Sequence, residues 1–135
     1  MRAVTKNLHI SKIQVDDVES VIPYVGEKIQ VVQAECWEAV AFAALLALRA
    51  FNRGTNHART LGGELLLRLA GHLQIKEAIE RVGVKPGENY LVVFGSEEDA
   101  QEFLTKLKIR ELPLTDCERE KAKTFFEKAA LVEVL

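Results

Sequence analysis

The sequence predicts an α+β fold, a small and mostly antiparallel sheet packed against several helices, and three observations carry this. Short strand-like runs and longer helical ones are mixed without a regular βαβ alternation. The run Tyr90-Leu91-Val92-Val93-Phe94 is continuously apolar, the mark of a strand covered on both faces. Most other apolar residues recur at helical spacing. With 135 residues, 48% apolar and 28% charged, the chain has the size and balance of one water-soluble globule, so residues 1–135 are expected to form a single domain.

Residues 7–14 alternate loosely, with Leu8 and Ile10 on one side and Ile13 out of phase. This predicts a strand with a bulge, near a sheet edge. Residues 16–23 set Val18, Val21 and Ile22 among acidic residues and predict a short helix ended by Pro23 and the Tyr24-Val25-Gly26 turn. The β-branched run 29–33 is a second strand. Residues 36–51 carry Trp37, Val40, Ala41, Ala44, Leu45, Leu48 and Phe51 at helical spacing, while the opposite side holds Ala39, Phe42, Ala43, Leu46 and Ala47. A helix apolar nearly all round is central or lies under a partner. The run 52–56, with Arg53, Gly54 and two asparagines, ends it.

A second helix, beginning between Asn56 and Thr60 and closed by Gly71, turns Leu61, Leu65, Leu66 and Leu69 to the core. Gly62 and Gly63 lie at its start, and a glycine inside a helix costs about 1 kcal/mol relative to alanine. Either something packs closely on this backbone or the helix starts after them. Residues 74–82 form a third helix ended by Gly83, and Pro86-Gly87 is a turn before the strand 90–94. Ser96, followed by three acidic residues, caps a helix reaching Leu107. Residues 115–130, opening on the capping-box pattern Thr115-Asp116-Cys117-Glu118, are the last helix, and the tail 131–135 is a further strand candidate.

Several classes of protein are disfavoured. The longest uncharged run, residues 39–48, falls short of the roughly 20 apolar residues of a membrane span. Residues 1–7 hold no apolar stretch of the signal-peptide kind, so a cytoplasmic location is expected. Cys36 and Cys117 lie far apart and match no metal or redox spacing; both are expected to be reduced, a distant disulfide being the less favoured alternative. His9, His57 and His72 are not spaced as metal ligands on one helix face, and no phosphate loop, nucleophile elbow or dinucleotide fingerprint occurs. No metal and no small-molecule cofactor is therefore expected. A thiol nucleophile at Cys36, served by Glu64 and His57, is the one enzymatic reading the residues offer.

Charge is uneven along the chain. Residues 49–85 hold seven cations (Arg49, Arg53, Arg59, Arg68, Lys76, Arg81, Lys85) against Glu64, Glu77 and Glu80, a net +4, which leaves −6 for the rest of a chain of net charge −2. A basic middle in an acidic body favours an anionic partner, the alternative being a solvated helix face. Two helix starts lie in this stretch beside basic side chains, Asn56-His57-Ala58-Arg59-Thr60 and Gly71-His72-Leu73-Gln74-Ile75-Lys76. Backbone amides and a positive helix end attract phosphate, and Leu73 and Ile75 offer apolar support to an unpaired base. The alternative is that Asn56 or Thr60 simply caps a helix and the cations face water.

The same stretch carries a resemblance. Arg59, Thr60, Leu61, Glu64, the run Leu65-Leu66-Leu67, Gly71, Ile75, Glu77, Ala78, Ile79, Gly83 and Val84 are similar to the pattern of the kinase-binding subunit family of the KEOPS complex, the CGI-121 or PRPK-binding-protein family, in its archaeal type. The likeness continues more weakly through the alanine-rich helix and into the strand 90–94. It implies a non-catalytic subunit of the assembly that installs threonylcarbamoyladenosine in tRNA, with two partners: the kinase-like ATPase subunit and tRNA, including its single-stranded 3′ CCA end. Charge and position then nominate the RNA-binding residues. Arg53, Arg59 and Lys76 would neutralise phosphates, Gly71, Gln74 and Ile75 would receive the terminal bases, and Asn56 and Thr60 lie at the first helix start. The kinase-binding residues are not nominated, although an apolar patch on the helix ending at Ala70 or on helix 36–51 is one source of contact. A purely protein–protein regulator of the kinase, without RNA contact, and a small independent enzyme are the competing readings.

Overall fold

The out-of-phase Ile13 has a physical cause: the strand that carries it is buried on both faces. Leu8 and Ile10 pack into one hydrophobic cluster and Ile13 and Val15 into another, all four being at most 2% exposed. The computed structural model describes residues 1–71 and 74–118. Its strands are β1 (Arg2–Thr5), β2 (Leu8–Val15), β3 (Ile29–Val32), β4 (Gly87–Val93) and β5 (Glu111–Leu112), and its helices are α1 (Val18–Val21), α2 (Trp37–Arg53), α3 (Leu61–Ala70), α4 (Ile75–Val82) and α5 (Glu97–Leu107). All strand pairs are antiparallel, in the order β1-β2-β4-β3, with β5 also on β2. The α+β class with an antiparallel sheet is thus observed.

Two details of the expected first strand are corrected. It is interior, flanked by β4 along its length and by β1 and β5 end to end on its other side. The bulge falls in β1, between Ala3 and Thr5. The alternation looks irregular because a strand covered on both faces has no polar side to reveal its phase. Strands β1 and β5 are short and exposed, with no apolar periodicity to announce them.

Helices cover both faces. On one side α2 and α3, with Ala78 of α4, pack on Leu8, Ile10, Val32, Tyr90, Val92 and Phe94. On the other, Val21 of α1 and Ala100, Phe103 and Leu104 of α5 pack on Ile13, Val15, Val31, Leu91 and Val93. Helix α5 starts as its sequence dictates: the Ser96 hydroxyl accepts from the Asp99 amide and the Asp99 carboxylate accepts from the Ser96 amide. These bonds, first from the Ser96 backbone and then from its side chain, hold the Asp99 carboxyl below its ordinary value, with the charge of Lys28 adding to the effect.

The cysteines are the clearest departure from expectation, since Cys36 and Cys117 form a disulfide across 81 residues. Spacing rules see local motifs only, whereas here the chain after β5 returns to the start of α2. Trp37 N donates to Thr115 O at 2.9 Å, Trp37 Nε1 to Asp116 Oδ1 at 2.8 Å and Cys117 N to Glu38 Oε1 at 3.0 Å. Residues 115–117 thereby cap α2, whose N-cap Cys36 makes no side-chain bond to the helix amides. Residues 113–118 have no regular structure, and the remainder of the predicted last helix and tail strand lies outside the described residues. No helix among those described is long and apolar enough to cross a membrane.

Candidate functional site

The basic middle of the sequence becomes α2's last turns, a loop, α3 and α4. Helix α2 ends at Gly54 in the left-handed conformation, φ 70°, and the chain then turns through residues 55–60 to the N-cap of α3. Asn56 Nδ2 donates to Ala58 O at 2.8 Å, an internal brace of this turn. Thr60 is the N-cap, its hydroxyl accepting from Gly63 N at 3.0 Å. Helix α3 begins at Leu61, so both glycines are inside it. At Gly62 close packing is the reason: its amide donates to Gly26 O at 2.9 Å, and a Cβ there would collide with that carbonyl.

Every residue of α3 from Gly62 to Ala70 is buried, including Glu64 and Arg68, which are 0% and 1% exposed. Arg68 Nε donates to Glu64 Oε2 at 2.8 Å. The other carboxylate oxygen accepts from two consecutive loop amides, His57 N at 2.7 Å and Ala58 N at 2.8 Å. Arg68 counts toward the basic middle of the sequence, yet it belongs to the interior. Because its partner Glu64 leaves the count with it, the exposed charge of this stretch is unchanged. The i,i+4 spacing of Glu64 and Arg68 was the available signal for the pair.

This arrangement decides which groups can meet an anion. The α3 amides of Gly62 and Gly63 are engaged by Gly26 O and Thr60 Oγ1, and those of His57 and Ala58 by Glu64, so this corner presents side chains more than backbone donors. Arg53 and Arg59 are exposed, and among the described residues neither forms an ion pair; the same holds for Lys76. A groove of about 370 Å³ is lined by His57, Ala58, Arg59, Thr60, Gly63, Leu67 and Ile75. It joins the loop before α3 to the first residue of α4, and so brings Arg59, Thr60 and Ile75 of the nominated set together. His57, Ala58, Gly63 and Leu67 are lining residues outside the nominated set.

The remaining nominees lie around this groove or away from it. Gly71 is the left-handed C-cap of α3, φ 67°, its amide donating to Leu67 O at 2.9 Å. Gln74 is the N-cap of α4 without capping it; with its amide nitrogen toward Glu77 it donates to both carboxylate oxygens, at 2.8 and 3.1 Å. Lys76 is exposed on the first turn of α4. Ile75 and Ile79, one turn apart on that helix, are 44% and 51% exposed. An apolar patch on α3, by contrast, is not available to a partner, since the helix is covered. On α2 Leu45 is the large apolar side chain left open.

The Cys36 sulfur is bonded to Cys117, which overturns the thiol-nucleophile reading, and both Glu64 oxygens are engaged inside the fold. Among the described residues no group of three or more His, Cys, Asp or Glu is placed to hold a metal.

The family described as "Kinase binding protein CGI-121" matches residues 36–133 of this chain. The chain belongs to the CGI-121 family. A curated relative, the KEOPS complex subunit Cgi121 of Pyrococcus abyssi (strain GE5 / Orsay), is 40% identical over 127 residues, which span 92% of this chain and 74% of the relative. The CGI-121 match begins at the disulfide cysteine that opens α2 and takes in the loop, α3, the groove and α4. Most residues of the CGI-121 pattern serve the interior of the fold. Thr60 caps a helix, Glu64 binds loop amides, Gly71 ends a helix and Ala78 is fully buried. Arg59, Ile75 and Ile79 are different, because they are exposed, the two isoleucines by about half.

Proposed function

We propose that this chain acts as a non-catalytic, single-domain cytoplasmic subunit of the KEOPS assembly that installs threonylcarbamoyladenosine in tRNA, binding both the kinase-like ATPase subunit and tRNA with its 3′ CCA end. One observation carries the RNA half. The groove joins the exposed guanidinium of Arg59, which forms no ion pair among the described residues, to the half-exposed side chain of Ile75. A cation beside an apolar wall is what an unpaired nucleotide requires, one for the phosphate and one for the face of the base. Arg53 at the end of α2 and Lys76 beside Ile75 add exposed charge. Family membership supports the kinase half.

The test is a gel-shift titration of intact and CCA-trimmed tRNA, with and without the kinase-like subunit. Binding that weakens on trimming is the expected result. Equal affinity for both tRNAs would remove the CCA end from the reading, and no shift at all would remove RNA. A second reading, protein–protein contact alone, is favoured by a specific feature: Ile75 and Ile79 form an apolar strip on α4. Kinase binding without any tRNA shift would select it.

A further inference from the structure

We infer that Glu64 and Arg68 are positioning residues for tRNA recognition, a buried pair that fixes the loop presenting Arg59 to the groove. The inference rests on the RNA-binding reading above and assigns the pair no contact with RNA.

The argument starts from cost. A carboxylate and a guanidinium that are 0% and 1% exposed, set between Leu65, Leu67 and Leu69, have given up their hydration, and apolar residues of similar size are generally as stable or more so in such a place. The core packing of helix α3 is already supplied by its leucines. What an apolar pair cannot do is reach beyond the helix. Glu64 Oε1 accepts from His57 N and Ala58 N at 2.7 and 2.8 Å, two consecutive amides of the loop immediately before Arg59. Those two residues and Arg59 all line the groove. Fixing a loop in advance removes the ordering cost that binding would otherwise meet.

Arg68 supplies the second half of the device. A bare carboxylate under this loop would place negative charge below a side chain meant to meet phosphate. Arg68 Nε, donating to Oε2 at 2.8 Å, cancels that charge, so the loop is held by a strong acceptor without repelling a polyanion.

Two charge-matched double variants separate positioning from packing and from electrostatics. Glu64→Leu/Arg68→Met replaces the pair with apolar groups and removes the acceptor for the loop amides. Glu64→Gln/Arg68→Gln is also neutral but keeps a carbonyl oxygen facing them. Circular dichroism and thermal melting report the fold, hydrogen exchange reports the His57 and Ala58 amides, and filter binding reports affinity for an unmodified tRNA transcript. The Leu/Met variant is expected to stay folded, to exchange those two amides faster, and to bind tRNA about tenfold more weakly or worse. The Gln/Gln variant is expected to retain protection and to bind within about threefold of wild type.

Wild-type affinity in a folded Leu/Met variant, or equal losses in both doubles, would overturn the inference alone. Failure of the wild-type protein to bind tRNA would overturn the reading beneath it, and the inference with it. Should the Leu/Met variant not fold, Glu64→Asp keeps the charge and withdraws the carboxylate by one methylene. It is expected to show the same loss of protection and affinity, and wild-type values in it would refute positioning.

Discussion

Reduction of the Cys36–Cys117 bond is expected to lower stability by about 4.5 kcal/mol while leaving the folded arrangement in place. The magnitude follows from the chain length that the bond closes. Its cysteines are 81 residues apart, and the loop-closure entropy removed from an unfolded chain of that span comes to about 15 cal/mol/K. Spread over the unfolding entropy of a 135-residue domain, this lowers Tm by roughly 16 °C. The fold persists because the cysteines do not hold residues 115–117 alone: Trp37 N, Trp37 Nε1 and the Cys117 amide each keep a hydrogen bond across the same junction. Urea unfolding with and without a strong reductant, beside a Cys36→Ser/Cys117→Ser variant, measures the effect. Matching far-UV spectra and a midpoint displaced toward lower urea at a steeper slope are expected, since an unfolded chain freed of the crosslink exposes more surface. Two reactive thiols in the unreduced, denatured protein, or a midpoint indifferent to reductant, would refute the reasoning.

Gly62→Ala drives a methyl group into the Gly26 carbonyl and breaks the Gly62 N to Gly26 O bond, so a loss of roughly 2–3 kcal/mol is expected in chemical denaturation. Arg68→Met alone leaves Glu64 buried without its cation and is expected to cost roughly 3–5 kcal/mol by the same assay. Arg59→Glu should weaken tRNA binding and reduce the slope of log affinity against log salt by about one unit, since one phosphate contact is lost; an unchanged slope removes Arg59 from the interface. Ser96→Ala removes the α5 cap at a cost of about 1 kcal/mol. The Asp99 carboxyl is held below its ordinary 3.8, so its contribution is present above that pH and is lost as pH falls through the lower folded value. Asp99→Asn should therefore flatten the acid limb of stability below about pH 4.

How far the structure is legible in the sequence depends on whether a residue's role is set locally. The body of helix α2, the α3 cap at Thr60, the C-cap at Gly71 and the Ser96 cap all depend on neighbours within four residues, and each is where local rules place it, whereas the start of α2 is completed by residues 115–117. Interior position and pairing are not legible. Strand β2 reads as an edge because its two buried faces erase the alternation, and the disulfide escapes spacing rules because residue 117 meets residue 36 only through the returning chain. At the candidate site charge and position beside the helix starts nominate the exposed cations, whereas the Glu64 contact with the loop amides depends on the turn made by residues 54–60. Charge counting also places Arg68 among the surface cations, since one-dimensional bookkeeping cannot tell a solvated guanidinium from a buried one.

The three-layer arrangement limits which parts of this region can meet a partner. With α3 buried along its length and its first amides turned inward to Gly26 and Thr60, that helix can neither dock a protein nor hold a phosphate by itself. Its effect on the surface passes through Glu64, which projects the order of the core into the loop before it. Helix α4 covers the adjoining edge with a single fully buried side chain, Ala78, and leaves Ile75, Lys76 and Ile79 in solvent. An eight-residue helix held to the core by Ala78 and the partly buried Val82 gains only modestly from its own burial. On the proposed function its two half-exposed isoleucines and the Arg59 guanidinium serve recognition, and substituting Ile75 or Ile79 by a small polar residue is expected to change partner binding well before it changes the unfolding midpoint.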